Sequence, residues 1–257
     1  MLNRRQLLIL AAAGAMGAKA KDYPVHKTNV RPLWKSPDGH PNALEATKEG
    51  LWVGEQTTDI AYLCDWETGK VLRTVPTESS NTSGMAYGGG FLWMAANGPA
   101  NGRKSRPTDA KTGAVIKIDA KTGKTIARYP IPGGGGVHGL TWIEKSLWVT
   151  TLSQKTLTRV DADFNVQHAI PVTLGRAHGL AWDKDSIWCV FSNDVVIQRL
   201  DANDGRIRET VQLTTSDPEP HGMTRHKGTF YYCNAAIGPG DSKGKDIYPG
   251  YICRIEL

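Results

Sequence analysis

The chain is poor in the residues that usually betray a function. It has four cysteines and four phenylalanines in 257 residues, and no Cys-x-x-Cys or His-Glu-x-x-His pair, so neither a zinc ribbon nor a zincin helix is encoded. No Gly-x-Ser-x-Gly elbow occurs, and Ser146 and Ser186 lack an obvious histidine partner, so serine-nucleophile chemistry finds little support. The glycine run Gly133 to Gly136 lacks the lysine and the following helix of a phosphate loop and reads as a flexible crossover. The apolar run Leu7 to Met16, about ten residues long, is too short for the roughly 20 that a membrane-spanning helix needs, and no other segment comes close. The formal charge of +6 is not a nucleic-acid footprint, because Arg4, Arg5 and Lys19 sit in the first twenty residues without an acid and the other bases are dispersed.

What is present is a foldable composition, 40% hydrophobic and 22% charged, with 28 glycines and 8 tryptophans. Residues 1–20 read as a secretory signal: Arg4 and Arg5, then Leu7 to Met16, then Ala18-Lys19-Ala20 as the small residues flanking a cut. The paired arginines before Gln-Leu-Leu resemble a twin-arginine signal, and a general export signal fits equally well. The expectation is a periplasmic or secreted protein without a transmembrane segment, residues 21–257 forming one domain. Cys64, Cys189, Cys233 and Cys253 each lie in an apolar, strand-like context, which favours buried free thiols, although an exported protein permits pairing.

One pattern recurs five times. Asn42-Ala43-Leu44, Ser83-Gly84-Met85, His138-Gly139-Leu140, His178-Gly179-Leu180 and His221-Gly222-Met223 are each followed by an apolar-aromatic pair: Leu51-Trp52, Leu92-Trp93, Leu147-Trp148, Ile187-Trp188 and Phe230-Tyr231. Next comes an alternating strand closed by an acidic residue, as in Ile60 to Asp65 and Val115 to Asp119. Thr-Gly or Asp-Gly hairpins then lead into a fourth strand. The copies advance by 41, 55, 40 and 43 residues, apolar positions alternate, and no 3.6-residue stripe is present. This predicts an all-β, five-bladed β-propeller of four-stranded antiparallel blades. The last copy ends after three strands, so Asn29 to Lys35 is expected to supply the fourth and close the ring. Tryptophans 52, 93, 148 and 188, at matching positions, are expected to fill the space between blades rather than to stack on a ligand.

This arrangement gathers the unusual residues at one channel mouth, where strand one of each blade starts and strand two ends. The candidate ligand-binding residues there are Asn42, Ser83, Asn97 and Asn234. His138, His178 and His221 occupy one repeat position, and imidazole suits either a metal or proton transfer, so these three are the candidate metal ligands and, with Glu55, the candidate catalytic residues. Magnesium, calcium or zinc would be the divalent metal, if one is used. Inheritance of a structural histidine through blade duplication is the competing explanation. The long inserts Gly98 to Thr112 and Gly238 to Gly250 rise over the same mouth.

Units reading His-Gly-Leu, then Leu-Trp-Val, then a strand such as Thr156 to Asp161 resemble the repeat of the streptogramin B (virginiamycin B) lyases, with Pro220-His221-Gly222-Met223 as the nearest match. The resemblance spans nearly all of Asn42 to Leu257. It implies a propeller with a magnesium-dependent site at one mouth, where histidine and glutamate eliminate an ester-linked cyclic peptide. Glu55 stands where those blades often carry glutamate, whereas the other copies have Ala96, Thr151, Phe191 and Asn234 there, and five blades replace the family's seven. Gluconolactonase-like and glutamine cyclotransferase-like propellers share the same grammar. The functional expectation is an exported propeller holding a small molecule or metal at its mouth, a lyase or hydrolase for an ester or lactone. The alternative is a non-catalytic module recognising a glycan, peptide or partner protein through exposed aromatics such as Trp34, Trp66, Tyr248 and Tyr251.

Overall fold

In the computed structural model, residues 23–236 and 247–256 are described. Two N-terminal strands, β1 (Val25–Lys27) and β2 (Asn29–Lys35), precede the repeats. Blade 1 is β3 (Pro41–Ala46), β4 (Leu51–Glu55), β5 (Ile60–Cys64) and β6 (Val71–Pro76). Blade 2 is β7 (Thr82–Gly88), β8 (Phe91–Ala96), β9 (Ala114–Asp119) and β10 (Thr125–Pro130). Blade 3 is β11 (Leu140–Ile143), β12 (Ser146–Thr151), β13 (Thr156–Asp161) and β14 (Val166–Pro171). Blade 4 is β15 (Ala177–Asp183), β16 (Ser186–Phe191), β17 (Val196–Asp201) and β18 (Ile207–Gln212). Blade 5 is β19 (Met223–His226), β20 (Thr229–Cys233) and β21 (Tyr251–Glu256), completed by β2, which pairs antiparallel with β21. Five blades and the N-terminal closing strand are therefore as the repeat predicts. One strand was not foreseen: β1 adds in parallel to the outer edge of β18, so a single N-terminal segment runs across blades 4 and 5 and covers an open edge.

Each blade boundary is a separate apolar core. Trp52 (blades 1 and 2), Trp93 (2 and 3), Trp148 (3 and 4) and Trp188 (4 and 5) are all buried in these cores, which confirms their packing role. Tyr231 takes the equivalent place between blades 5 and 1, with Trp34 and Trp66. The four cysteines are buried free thiols, and burial holds Cys64 and Cys253 at about 12. The acidic residue ending strand three is a turn acceptor: Asp65 Oδ1 takes the amides of Glu67 (3.2 Å) and Thr68 (2.9 Å), and Asp119 Oδ1 those of Lys121 (3.0 Å) and Thr122 (2.8 Å).

The glycine of the repeated motif exists because the inner strands crowd the axis. A side-chain carbon on Gly84 would overlap the carbonyl oxygen of His138, and one on Gly139 would overlap that of His178. Gly179 abuts His221 and Met223, and Gly222 abuts Asn42 and Ala43 in the same way. The preceding residue lies at a break in the ladder. Strand pairing skips across Asn42 in β3, across Ser83 in β7 and across His178-Gly179 in β15, and such bulges re-aim the side chain they carry. His138 and His221 sit just before β11 and β19.

Candidate functional site

The ring therefore converts one repeat position into a circle of mouth residues. Three of them meet. The ring centroids of His138 and His178 are 4.2 Å apart and edge-on, and those of His178 and His221 are 4.9 Å apart. His178 Nε2 lies 3.3 Å from His221 Nδ1, and His221 Nε2 lies 3.1 Å from Oε1 of Glu219. Arg176 Nη1 approaches the same Glu219 oxygen at 3.5 Å and Asn193 Oδ1 at 3.4 Å. Glu219, His178 and His221 are all buried.

With Glu219 ionised and His221 neutral, these contacts assign the tautomers. A carboxylate oxygen accepts, so His221 Nε2 carries the hydrogen and its Nδ1 is an acceptor. His178 Nε2 must then donate to His221, which leaves His178 Nδ1 as a bare lone pair. That nitrogen is buried without a hydrogen-bond partner, as is His138 Nδ1. Burial drives His178 well below the ordinary imidazole range, with the charges of His138, His221 and Arg176 adding to the effect. Burial likewise lowers His138 to about 3, with Arg176 and His221 contributing.

The contacts of the three rings run one after another along a line. His178 and His221 face each other, His221 is further committed to Glu219, and His138 packs edge-on against His178 instead of converging with it. Among the described residues, no group of three or more His, Cys, Asp or Glu side chains is placed to hold an ion.

The other predicted residues serve the ring. Glu55 is fully buried away from the histidine chain: Oε2 accepts the amide of His40 at 2.8 Å and Oε1 that of Asp38 at 3.3 Å, fixing the crossover into blade 1. Burial raises its carboxyl above the usual range, against hydrogen bonds from Ser36, His40 and Asp38. Asn42 Nδ2 donates to Thr82 O (3.3 Å) and Ser83 Oγ to Val137 O (2.6 Å), so both tie one blade to the next, although Asn42 Oδ1 stays unpaired. Asn97 Oδ1 accepts the Val137 amide at 2.9 Å, and Asn234 holds Ile247 O at 2.9 Å and the Ala236 amide at 3.0 Å.

Sequence reasoning missed Glu219 and Arg176. Both stand two places before a mouth histidine, at a repeat position also held by His40, Asn81 and Gly136, so they form a second circle above the first. The available signal was that offset. The insert in blade 2 is not an open lid either. Arg103 clamps Asp59 (Nε to Oδ2, 2.7 Å) and Asp109 (Nη2 to Oδ1, 2.6 Å), while Arg106 donates to Thr77 O at 2.8 Å, pinning the insert to blade 1 and to the crossover into blade 2. Of the second insert, residues 237–246 lie outside the described residues. The aromatic residues of the alternative reading do not form one patch: Trp34 is buried with Trp66 in the core between blades 5 and 1, whereas Tyr251 lies against the core on the other side of blade 5 and contacts the exposed Tyr248.

No protein-family model and no curated protein sequence matches this chain. Solved structures do. Glutaminyl cyclase from Myxococcus xanthus superposes with a TM-score of 0.65 at 13% identity, over 91% of this chain and 98% of that one. A streptogramin B lyase structure gives 0.51 at 14% identity, over 90% and 98%. A catalytically inactive variant of virginiamycin B lyase from Staphylococcus aureus with quinupristin gives 0.51 at 18% identity, over 86% and 68%. At such identities the likeness is one of fold alone.

Proposed function

We propose that this protein is an exported enzyme whose propeller mouth performs proton transfer on a small ester- or lactone-bearing molecule, by elimination or hydrolysis. One observation carries the reading: the chain Glu219, His221, His178 ends in an unpaired, buried Nδ1. When that nitrogen takes a proton from substrate, the Nε2 hydrogen of His178 shifts toward His221, and the charge formed is offset by Glu219 two links away. Glu219 is the carboxylate that balances the charge when the base takes up a proton. His178, once protonated at Nδ1, returns that proton to the leaving oxygen, and His138, edge-on to His178 and the most exposed of the three at 8%, flanks the reacting group. No step is assigned to a metal. Export is supported by the signal-like residues 1–20, which lie outside the described residues.

The test is turnover of a panel comprising quinupristin, simple lactones, aryl esters and peptides with N-terminal glutamine. His178→Ala is expected to abolish turnover, and Glu219→Gln to lower kcat about 100-fold with KM little changed. Both variants should melt cooperatively. Turnover that survives His178→Ala in the folded protein overturns the reading.

A further inference from the structure

A cleft of about 260 Å³ opens between blades 3 and 4, lined by Thr151, Leu152, Lys155, Thr156, Val172, Leu174, Gly175, Arg176 and Ala177. Its walls are Leu152, Val172, Leu174 and Ala177, and its only charged residues are Lys155 and Arg176. No acid lines it. The Lys155 side chain is exposed and makes no hydrogen bond or ion pair among the described residues, and Arg176 engages the protein through Nη1 alone, at the long distances of 3.4 and 3.5 Å. The Nε and Nη2 edge of the guanidinium is therefore uncommitted, and that edge matches a carboxylate in a paired, two-point contact. Both cations stand on left-handed turn residues: Lys155 closes the 3₁₀ turn Leu152–Gln154 with φ 52°, and Arg176 has φ 53°.

We infer that this cleft is the binding subsite for a small monocarboxylate with an apolar body, its carboxylate gripped by Arg176 and Lys155 and its hydrocarbon part against Leu152, Val172 and Leu174. The volume lies just under the roughly 300–1,000 Å³ of ordinary ligand pockets, so the occupant is a short acid or the acidic arm of a larger substrate. The inference rests on the reading above for the occupant's role as substrate, and it adds to it. Arg176 links the cleft to the histidine chain through Glu219, and its positive charge is one of the influences that depress His138 and His178. An anion docked on Arg176 would offset that charge, so substrate binding itself would make the imidazoles more basic.

The experiment is calorimetric titration of the purified protein with hexanoate, hexanamide and hexanol, which needs no turnover. Hexanoate is expected to bind at millimolar concentration or better and the two neutral analogues at least about tenfold more weakly. Lys155→Gln should weaken hexanoate about tenfold, and Leu174→Trp, which fills the cleft, should abolish binding. His178→Ala should leave hexanoate affinity intact, so loss of catalysis and loss of this subsite are separable. Hexanamide binding as tightly as hexanoate, no hexanoate binding at all, or an affinity unmoved by both cleft variants overturns the inference.

Discussion

The two halves of the ring use the same repeat position for opposite ends. In blades 1 and 2 the mouth residues are Asn42 and Ser83, each donating to a carbonyl of the next blade, and beside them Arg103 pins the blade 2 insert through Asp59 and Asp109. Over blades 3 to 5 the same position holds three histidines, two of which keep a buried nitrogen without a partner. One half uses its side chains to tie blade to blade, and the other keeps one nitrogen on each of His138 and His178 without a hydrogen-bond partner. A repeat protein can keep its architecture while a single position drifts from structural bond to chemical group, provided the neighbouring blades supply the lost contacts.

Three perturbations sharpen this contrast. The largest effect on stability is expected in the pinned half: Arg103→Ala removes the nearest cation from the fully buried Asp59 and from Asp109, leaving them to Arg106 and Thr82, at a cost of about 2–3 kcal/mol in chemical denaturation. A small change there would show that the loop rests on the ring without anchoring it.

An intermediate effect belongs to the histidine half and depends on pH. His138 is lowered from 6.5 to about 3 and His178 also lies well below 6.5, so both are neutral in the folded protein across mildly acidic pH. Between pH 6.5 and about 3 the unfolded chain binds protons that the folded chain refuses, and stability falls as acid is added through that window. Urea midpoints measured from pH 7 to 4 should drop steeply in the native protein and less steeply in the His138→Gln, His178→Gln double variant. Equal slopes would mean that the two rings are not the source.

The smallest effect is that of Ser83→Ala, which removes one hydrogen bond between blades and is expected to cost about 1 kcal/mol while leaving turnover unchanged. Set beside His178→Ala, which should stop turnover, it measures the division of labour at one repeat position. A Ser83→Ala enzyme that loses activity would erase that division.

Much of the fold was legible. Alternating apolar residues, a glycine beside four of the five mouth residues (Ala43 in blade 1) and a tryptophan near the start of four second strands (Tyr231 in blade 5) recur because every blade solves the same packing problem, so the pattern gave five blades, the role of Asn29 to Lys35 and the burial of Trp52, Trp93, Trp148 and Trp188. The gathering of His138, His178 and His221 at one mouth was legible for the same reason. The direction of each side chain was not. Glu55 and Glu219 are both buried acids near the mouth, yet one turns to the amides of Asp38 and His40 and the other to His221, and neither choice is written in its own blade. The insert at Gly98 to Thr112 looked like loose loop material because nothing local to Arg103 announces Asp59, some forty residues away.

The sequence by itself determined the number of blades, the closing strand and the repeat position that carries the histidines, since these follow from periodicity and from the spacing of short strands. Only the tertiary structure decided that two of those histidines are joined in a line to Glu219, and that Arg176 stands between that line and an apolar cleft. The physical reason is that hydrogen-bond direction and burial are set where blades meet, by bulges and crossovers that bring together residues about forty positions apart, while periodicity reports only on what lies within a blade.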